Sequence, residues 1–306
     1  MWRKLVVTHR TKIKRLVRGL GHSTLSLSFN IGGLLAGVLL NIYFDVFSIT
    51  SWALLLFPGV LSTRGAIGGV FCARLSTALH TGRIEARFTK NTRTFYLVFY
   101  AIITLTLGSG LIMGVTTSLF SIILGGTTFA DSIAILAVTI GTMGLSLILI
   151  APITIGVAIL SQKRGLDPDV IVYPIMSTVA DILVTICYIV ILTSFFASQT
   201  GNVLIGIFIF AFSLVVCYIL IKFSREKLFL KTLKEFFLTL ILVTFIVNVT
   251  GLTLGKIGQV IGNRKEIYMV YPALIDTVGD VGSIVGSTAT TKFALGLTEP
   301  SLSSIK

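Results

Sequence analysis

Runs of about twenty apolar residues recur along this 306-residue chain, separated by short hydrophilic patches. At ~1.5 Å per residue, each run as a helix is long enough to cross a hydrocarbon layer of ~30 Å. Composition agrees: 54% of residues are apolar and only 12% are charged, half the ~25% of an ordinary soluble domain. Such a chain cannot present a water-compatible surface on all sides, which excludes a soluble enzyme and a disordered chain alike. The sequence predicts an all-α polytopic membrane protein with about eight transmembrane helices, near 25–45, 52–78, 95–118, 131–160, 170–196, 203–222, 236–256 and 266–292. The fourth run is too long for one straight helix and contains Pro152, so a kink, tilt or unwound segment is expected there.

The formal charge of +13 belongs to this topology rather than to nucleic acid. Seven Lys and Arg residues precede residue 22, four lie between Arg83 and Arg93, Lys163 and Arg164 follow, and five fall between Lys222 and Lys234. The alternate loops before residue 202 hold none. By the positive-inside rule the N-terminus is cytoplasmic, in a multi-pass protein of the cytoplasmic membrane whose first partner is the lipid bilayer. Residues 1–22 form a basic cytoplasmic segment: a topogenic tail, or a helix lying on the inner leaflet. Cys72, Cys187 and Cys217 all fall within apolar runs and His9, His22 and His80 are dispersed, so neither a disulfide framework nor a soft-metal site is expected.

A repeat sits inside this pattern. Residues 57–82 align without gaps to 271–296, matching Pro58 with Pro272, Thr63 with Thr277, Gly65 with Gly279, Gly68 with Gly282, Thr77 with Thr291 and Gly82 with Gly296. The copies fall in the second and eighth spans, an offset of six, so both cross in the same direction, as a parallel repeat does. The expected domains are the basic segment 1–22, a five-helix unit at 23–200, a linking helix and basic loop at 201–235, and the start of a second unit at 236–306.

The informative residues are carboxylates within the spans, because a charge at the bilayer centre costs ~2.5–3.5 kcal/mol even on lenient scales. Asp181 lies near the middle of the fifth span, and Asp276 and Asp280 near the middle of the eighth. Helical spacing puts Pro174, Thr178, Asp181 and Thr185 on one face, and Asp276, Asp280, Ser283 and Ser287 on another. Gly279, Gly282 and Gly286 form a small face suited to close helix packing. Such oxygen donors suit Mg²⁺, Ca²⁺, Na⁺ or protons, and Mg²⁺ in particular is held by one or two carboxylates while keeping waters. Ser62 and Thr63 are further hydroxyl or carbonyl donors. Pro58, Pro174 and Pro272 would free backbone carbonyls toward a pathway, and Gly65 and Gly279 would shape it. Arg64 sits at the depth of Asp181, where it either pairs with an acid such as Asp276 or Asp181, or faces water beside the pathway. Arg74, near the end of its span, is expected to snorkel.

The segment Pro58–Gly82, with its R-L-S-T-A-L-H run, resembles the second helix of the MgtE-type magnesium transporters, and is most similar to archaeal relatives of solute carrier family 41. DPDVIVYPIMSTVADILVT (167–185) resembles that family's fifth helix, with Asp181 at the position of its principal magnesium ligand. The resemblance implies a Mg²⁺ pathway between two parallel five-helix units, with transport down the gradient or in exchange for Na⁺. It also implies either a homodimer or a two-repeat chain. Position 66, after the motif glycine, is Ala here and its repeat counterpart is Asp280, where the family carries Asn. No second fifth-helix aspartate follows before Lys306, so a second chain supplying the missing helices is expected if the chain is whole. No stretch is long enough for the family's magnesium-sensing domains.

Three other readings stand beside this one. A secondary transporter of a small organic solute would use Asp181 for proton or sodium coupling and Arg64 for a substrate carboxylate. An intramembrane aspartyl protease is suggested by Pro272-Ala273-Leu274 and Gly279-Asp280, but the order of those elements is wrong for that class, so no enzyme is expected and no resident cofactor. The third is an accessory subunit.

Overall fold

The computed structural model describes residues 31–123, 128–166, 168–261 and 269–275. Every regular element among them is an α-helix: α1 (Ile31–Ile42), α2 (Phe44–Phe47), α3 (Ser51–His80), α4 (Arg93–Ile123), α5 (Phe129–Lys163), α6 (Pro168–Ala197), α7 (Gln199–Phe223) and α8 (Lys227–Ile261). Residues 269–275 are also helical. Helices are the expected outcome, because hydrocarbon offers no partner to an unsatisfied backbone N–H or C=O. Six of these helices, α3 to α8, are long and apolar enough to cross a membrane, and the chain is a multi-pass membrane protein. The segment 1–22, Asp276, Gly279 and Asp280 lie outside the described residues, as does most of the eighth expected span.

Boundaries differ from the sequence reading in instructive ways. The first expected span is two pieces, α1 and the four-residue α2, separated at Tyr43. The loop expected between the fifth and sixth spans is one residue, Ser198, whose hydroxyl accepts the Gly201 N–H at 3.1 Å and caps α7. Part of the basic loop is helical, since α8 begins at Lys227; Lys231 and Glu235 pair one turn apart there at 3.7 Å. The helix α5 runs unbroken through Pro152 for 35 residues. Its start is fixed by a reciprocal cap, in which the Thr128 side chain accepts the Asp131 N–H and the Asp131 carboxylate accepts the Thr128 N–H at 2.7 Å. The helices α3 and α6 likewise continue through Pro58 and Pro174, so they are not broken helices. Each proline removes one i→i−4 bond while neighbouring helices hold the rest in place.

Burial sorts the helices into layers. The helix α3 is central, packing against α4, α5, α6 and α8. At its first turns Phe57, Phe47 and Tyr188 form an aromatic cluster, Trp52 meets Phe196 of α6, and the Tyr188 hydroxyl donates to the Ala53 carbonyl at 2.6 Å, tying α6 to α3. The helix α7 is peripheral: 17% of its apolar window is buried, against 67% for α5, and Val203, Leu204, Ile207, Phe210 and Leu214 face outward as lipid contacts would.

Close approach is provided by glycine. A Cβ at Gly32 on α1 would stand 2.5 Å from the Thr178 Cα on α6; one at Gly251 on α8 would strike the Leu55 carbonyl on α3, and one at Gly37 the Met269 carbonyl. A polar node joins α4 to α8. The Thr117 hydroxyl donates to Asn248 Oδ1 at 2.7 Å, and Asn248 Nδ2 donates to Thr116 Oγ1 at 3.0 Å and to the Thr244 carbonyl at 2.8 Å. At the basic end Arg74 pairs with Glu235 at 2.5 Å, joining α3 to α8, and Arg93 of α4 pairs with Glu226, the residue just before α8.

Candidate cation site

Asp181 and Arg64 stand near the middle of two 30-residue helices, α6 and α3, that pack against each other. Between them lies a cavity of about 190 Å³. Its α3 wall is built of small residues: Ser62, Gly65, Ala66, Gly68 and Gly69, with Arg64 and Cys72. Among the described residues, a Cβ added at Gly65 or Gly68 would meet no atom within 4 Å. These two glycines therefore leave space open, whereas Gly32, Gly37 and Gly251 let backbones touch. From α6 come Tyr173, Met176, Ser177, Ala180 and Asp181; α5 adds Ile150 and Thr154, and 269–275 adds Pro272 and Ile275. Residues of the second copy of the repeated segment thus meet the first copy at this cavity.

Of the residues singled out from the sequence, Asp181, Arg64, Ser62, Gly65 and Pro272 line the cavity. Thr63 does not: it is fully buried, and its hydroxyl points to the Met113 sulfur on α4 at 4.0 Å. Thr178 also lies off the wall, its hydroxyl donating to the Pro174 carbonyl at 3.3 Å and its backbone abutting Gly32 on α1. Pro58 and Pro174 sit in their helices away from the wall.

The reason is a rotation of the helix face. The stripe Pro174, Thr178, Asp181, Thr185 and the wall Tyr173, Ser177, Ala180, Asp181 are neighbouring faces of one helix at ~100° per residue, and Asp181 stands at their border. The Thr185 hydroxyl donates to the Asp181 carbonyl at 2.6 Å, so it serves its own helix. Sequence reasoning missed Tyr173, Ser177 and Thr154. The signal for Ser177 was a spacing of four residues before Asp181; nothing local singled out Thr154, whose hydroxyl donates to the Ile150 carbonyl at 2.9 Å.

Arg64 is 2% exposed, and its Nε has no hydrogen-bond partner among the described residues. Also among the described residues, no three His, Cys, Asp or Glu side chains come together as a metal cluster. A cation here would meet one described carboxylate, hydroxyls and its own waters, the sparse coordination that suits Mg²⁺.

Comparison with known proteins bears on what such a cavity is for. Residues 57–191, which contain the α3 and α6 walls, match the MgtE family model, described as a divalent cation transporter. Solute carrier family 41 member 2 of Gallus gallus is 25% identical over 159 residues, covering 50% of this chain and 27% of the relative. The Homo sapiens member 2 is 26% identical over a stretch of the same length. Solute carrier family 41 member 3 of Rattus norvegicus is 25% identical over 239 residues, covering 74% of this chain and 49% of the relative. The alignments thus span between about a quarter and a half of these relatives' own length. No solved structure gives a significant match.

Proposed function

Residues 57–191 belong to the MgtE-type membrane transporters, and from that premise we propose that this chain carries a divalent cation, Mg²⁺, across the membrane through the cavity between α3 and α6. The observation that carries the reading is Asp181: a carboxylate near mid-helix, half-buried, on the wall of a cavity whose opposite side is kept open by Gly65 and Gly68. A carboxylate at that depth is costly unless it meets a cation. Its charge offsets part of the dehydration cost of Mg²⁺, while Ser62, Ser177 and retained waters complete the shell. Asp276 and Asp280 are assigned to the same pathway from the second copy, with Gly279 beside them. In this reading Thr178, Thr63, Pro58 and Pro174 do not touch the ion but hold the helices that frame its cavity.

The N-terminus and the basic end are then cytoplasmic, in the cytoplasmic membrane. Mg²⁺ enters down its electrochemical gradient or exchanges with Na⁺, and a second copy of the chain contributes further lining helices. Mg²⁺ influx into proteoliposomes, wild type beside Asp181→Asn, tests the proposal. Removing the charge should cut influx by about 10- to 100-fold while the protein still melts as wild type does. Influx unchanged by the substitution would exclude Asp181 from the path.

A further inference from the structure

A divalent-cation pathway has no evident use for a guanidinium, yet Arg64 is buried in its wall. A bare buried cation is among the most expensive groups a protein can hold. The usual remedy is an internal carboxylate, but Arg64 Nε has no acceptor among the described residues. Arg64 lies instead at a cavity, at 2% exposure. The wall beside it, Gly65, Ala66, Gly68 and Gly69, presents no bulk, and Ser62 and Ser177 add hydroxyl groups that can donate. A void lined by small residues, hydroxyl donors and an arginine whose Nε has no acceptor among the described residues has the chemistry of an anion site. Water occupies ~30 Å³ per molecule, so about 190 Å³ has room for a small anion beside a partly hydrated cation.

We propose that the cavity is a two-ion site, in which Arg64 holds a small monovalent inorganic anion, with chloride as its representative, next to the divalent cation held by Asp181. Charge explains why the two belong together. With the cavity empty, the Asp181 carboxylate opposes an anion; with Mg²⁺ bound, the guanidinium opposes the cation. An anion between the two positive centres is attracted to both and relieves their repulsion. Its affinity therefore rises when Mg²⁺ is present, and by linkage Mg²⁺ affinity rises by the same factor when chloride is present. The inference rests on the cation reading of Asp181 for this coupling, but the anion site itself stands on Arg64.

The test has a binding arm and a flux arm, both on the full 306-residue chain. In detergent, chloride binding is followed by ³⁵Cl line broadening with and without Mg²⁺, for wild type, Arg64→Gln and Arg64→Lys. Wild type should bind chloride, more tightly by about 5-fold or more with Mg²⁺; Arg64→Gln should lose binding and Arg64→Lys should keep part of it. In proteoliposomes, replacing chloride by gluconate should raise the Mg²⁺ concentration for half-maximal influx several-fold in wild type, an effect absent from Arg64→Gln. Equal chloride binding by wild type and a folded Arg64→Gln would overturn the proposal, as would a wild type that binds none. Chloride binding that appears only in Asp276→Asn would assign the guanidinium to that carboxylate and overturn it too. Acetate bound in place of chloride would move the site to a carboxylate solute. The two readings fail separately: Mg²⁺ influx untouched by Asp181→Asn removes the cation assignment, while the binding arm still decides the anion.

Discussion

Two sets of glycines in this molecule do opposite things. Gly37 and Gly251 sit where helix backbones touch, so a Cβ at either would strike a carbonyl of a neighbouring segment. Gly65 and Gly68 sit on the central helix α3, where an added Cβ would face nothing within 4 Å among the described residues. The first set lowers the distance between helices; the second keeps side chains out of a space that polar groups line. One residue type therefore serves packing at one site and vacancy at another, and only the three-dimensional neighbourhood tells them apart.

Enlarging each set should separate them. Gly251→Leu and Gly37→Leu force backbones apart, a worse case than the ~1–3 kcal/mol of ordinary overpacking. Thermal unfolding in detergent should show them losing the native transition, with influx lost for that reason. Gly65→Leu and Gly68→Leu should instead abolish Mg²⁺ influx while melting close to wild type, because their side chains enter open space. A Gly68→Leu protein that transports normally would break the distinction.

Smaller effects sharpen the contrast between buried and exposed polar contacts. Asn248 is fully buried and joins α8 to α4 through Thr117 and Thr116. Asn248→Ala should destabilise the chain by ~1 kcal/mol, the scale of hydrogen bonds between membrane helices, read as a lowered melting temperature with influx per folded molecule retained. The Arg74–Glu235 pair has side chains 31% and 47% exposed. Arg74→Gln should therefore cost under ~1 kcal/mol, detectable as a slight shift in melting that high salt erases.

Much of the architecture was legible in the sequence because hydrocarbon leaves a backbone few choices: apolar runs of span length become helices. Ends were less legible. Lys227, Lys231 and Lys234 read as a loop because their charge breaks the apolar run, yet α8 begins at Lys227, where Lys231 pairs with Glu235 one turn on. Prolines read as breaks, but Pro58, Pro152 and Pro174 sit within continuous helices whose packing outweighs one lost hydrogen bond. At the candidate site Asp181 stood out by the cost of its charge, and Arg64 by the same argument. Thr63 and Thr178 did not join them at the cavity, because a periodic pattern fixes which residues share a face but not which neighbour that face meets. Met113 met one and Gly32 met the other.

The central claim is that a divalent cation occupies the cavity at Asp181. Cys72 lines that cavity, so its thiol can report occupancy directly. In a chain carrying Cys187→Ser and Cys217→Ser, the rate at which a small methanethiosulfonate labels Cys72 should fall as Mg²⁺ is raised. The same titration with Asp181→Asn should show no protection. Labelling that ignores Mg²⁺ in both proteins, or that is protected equally in both, would contradict the claim.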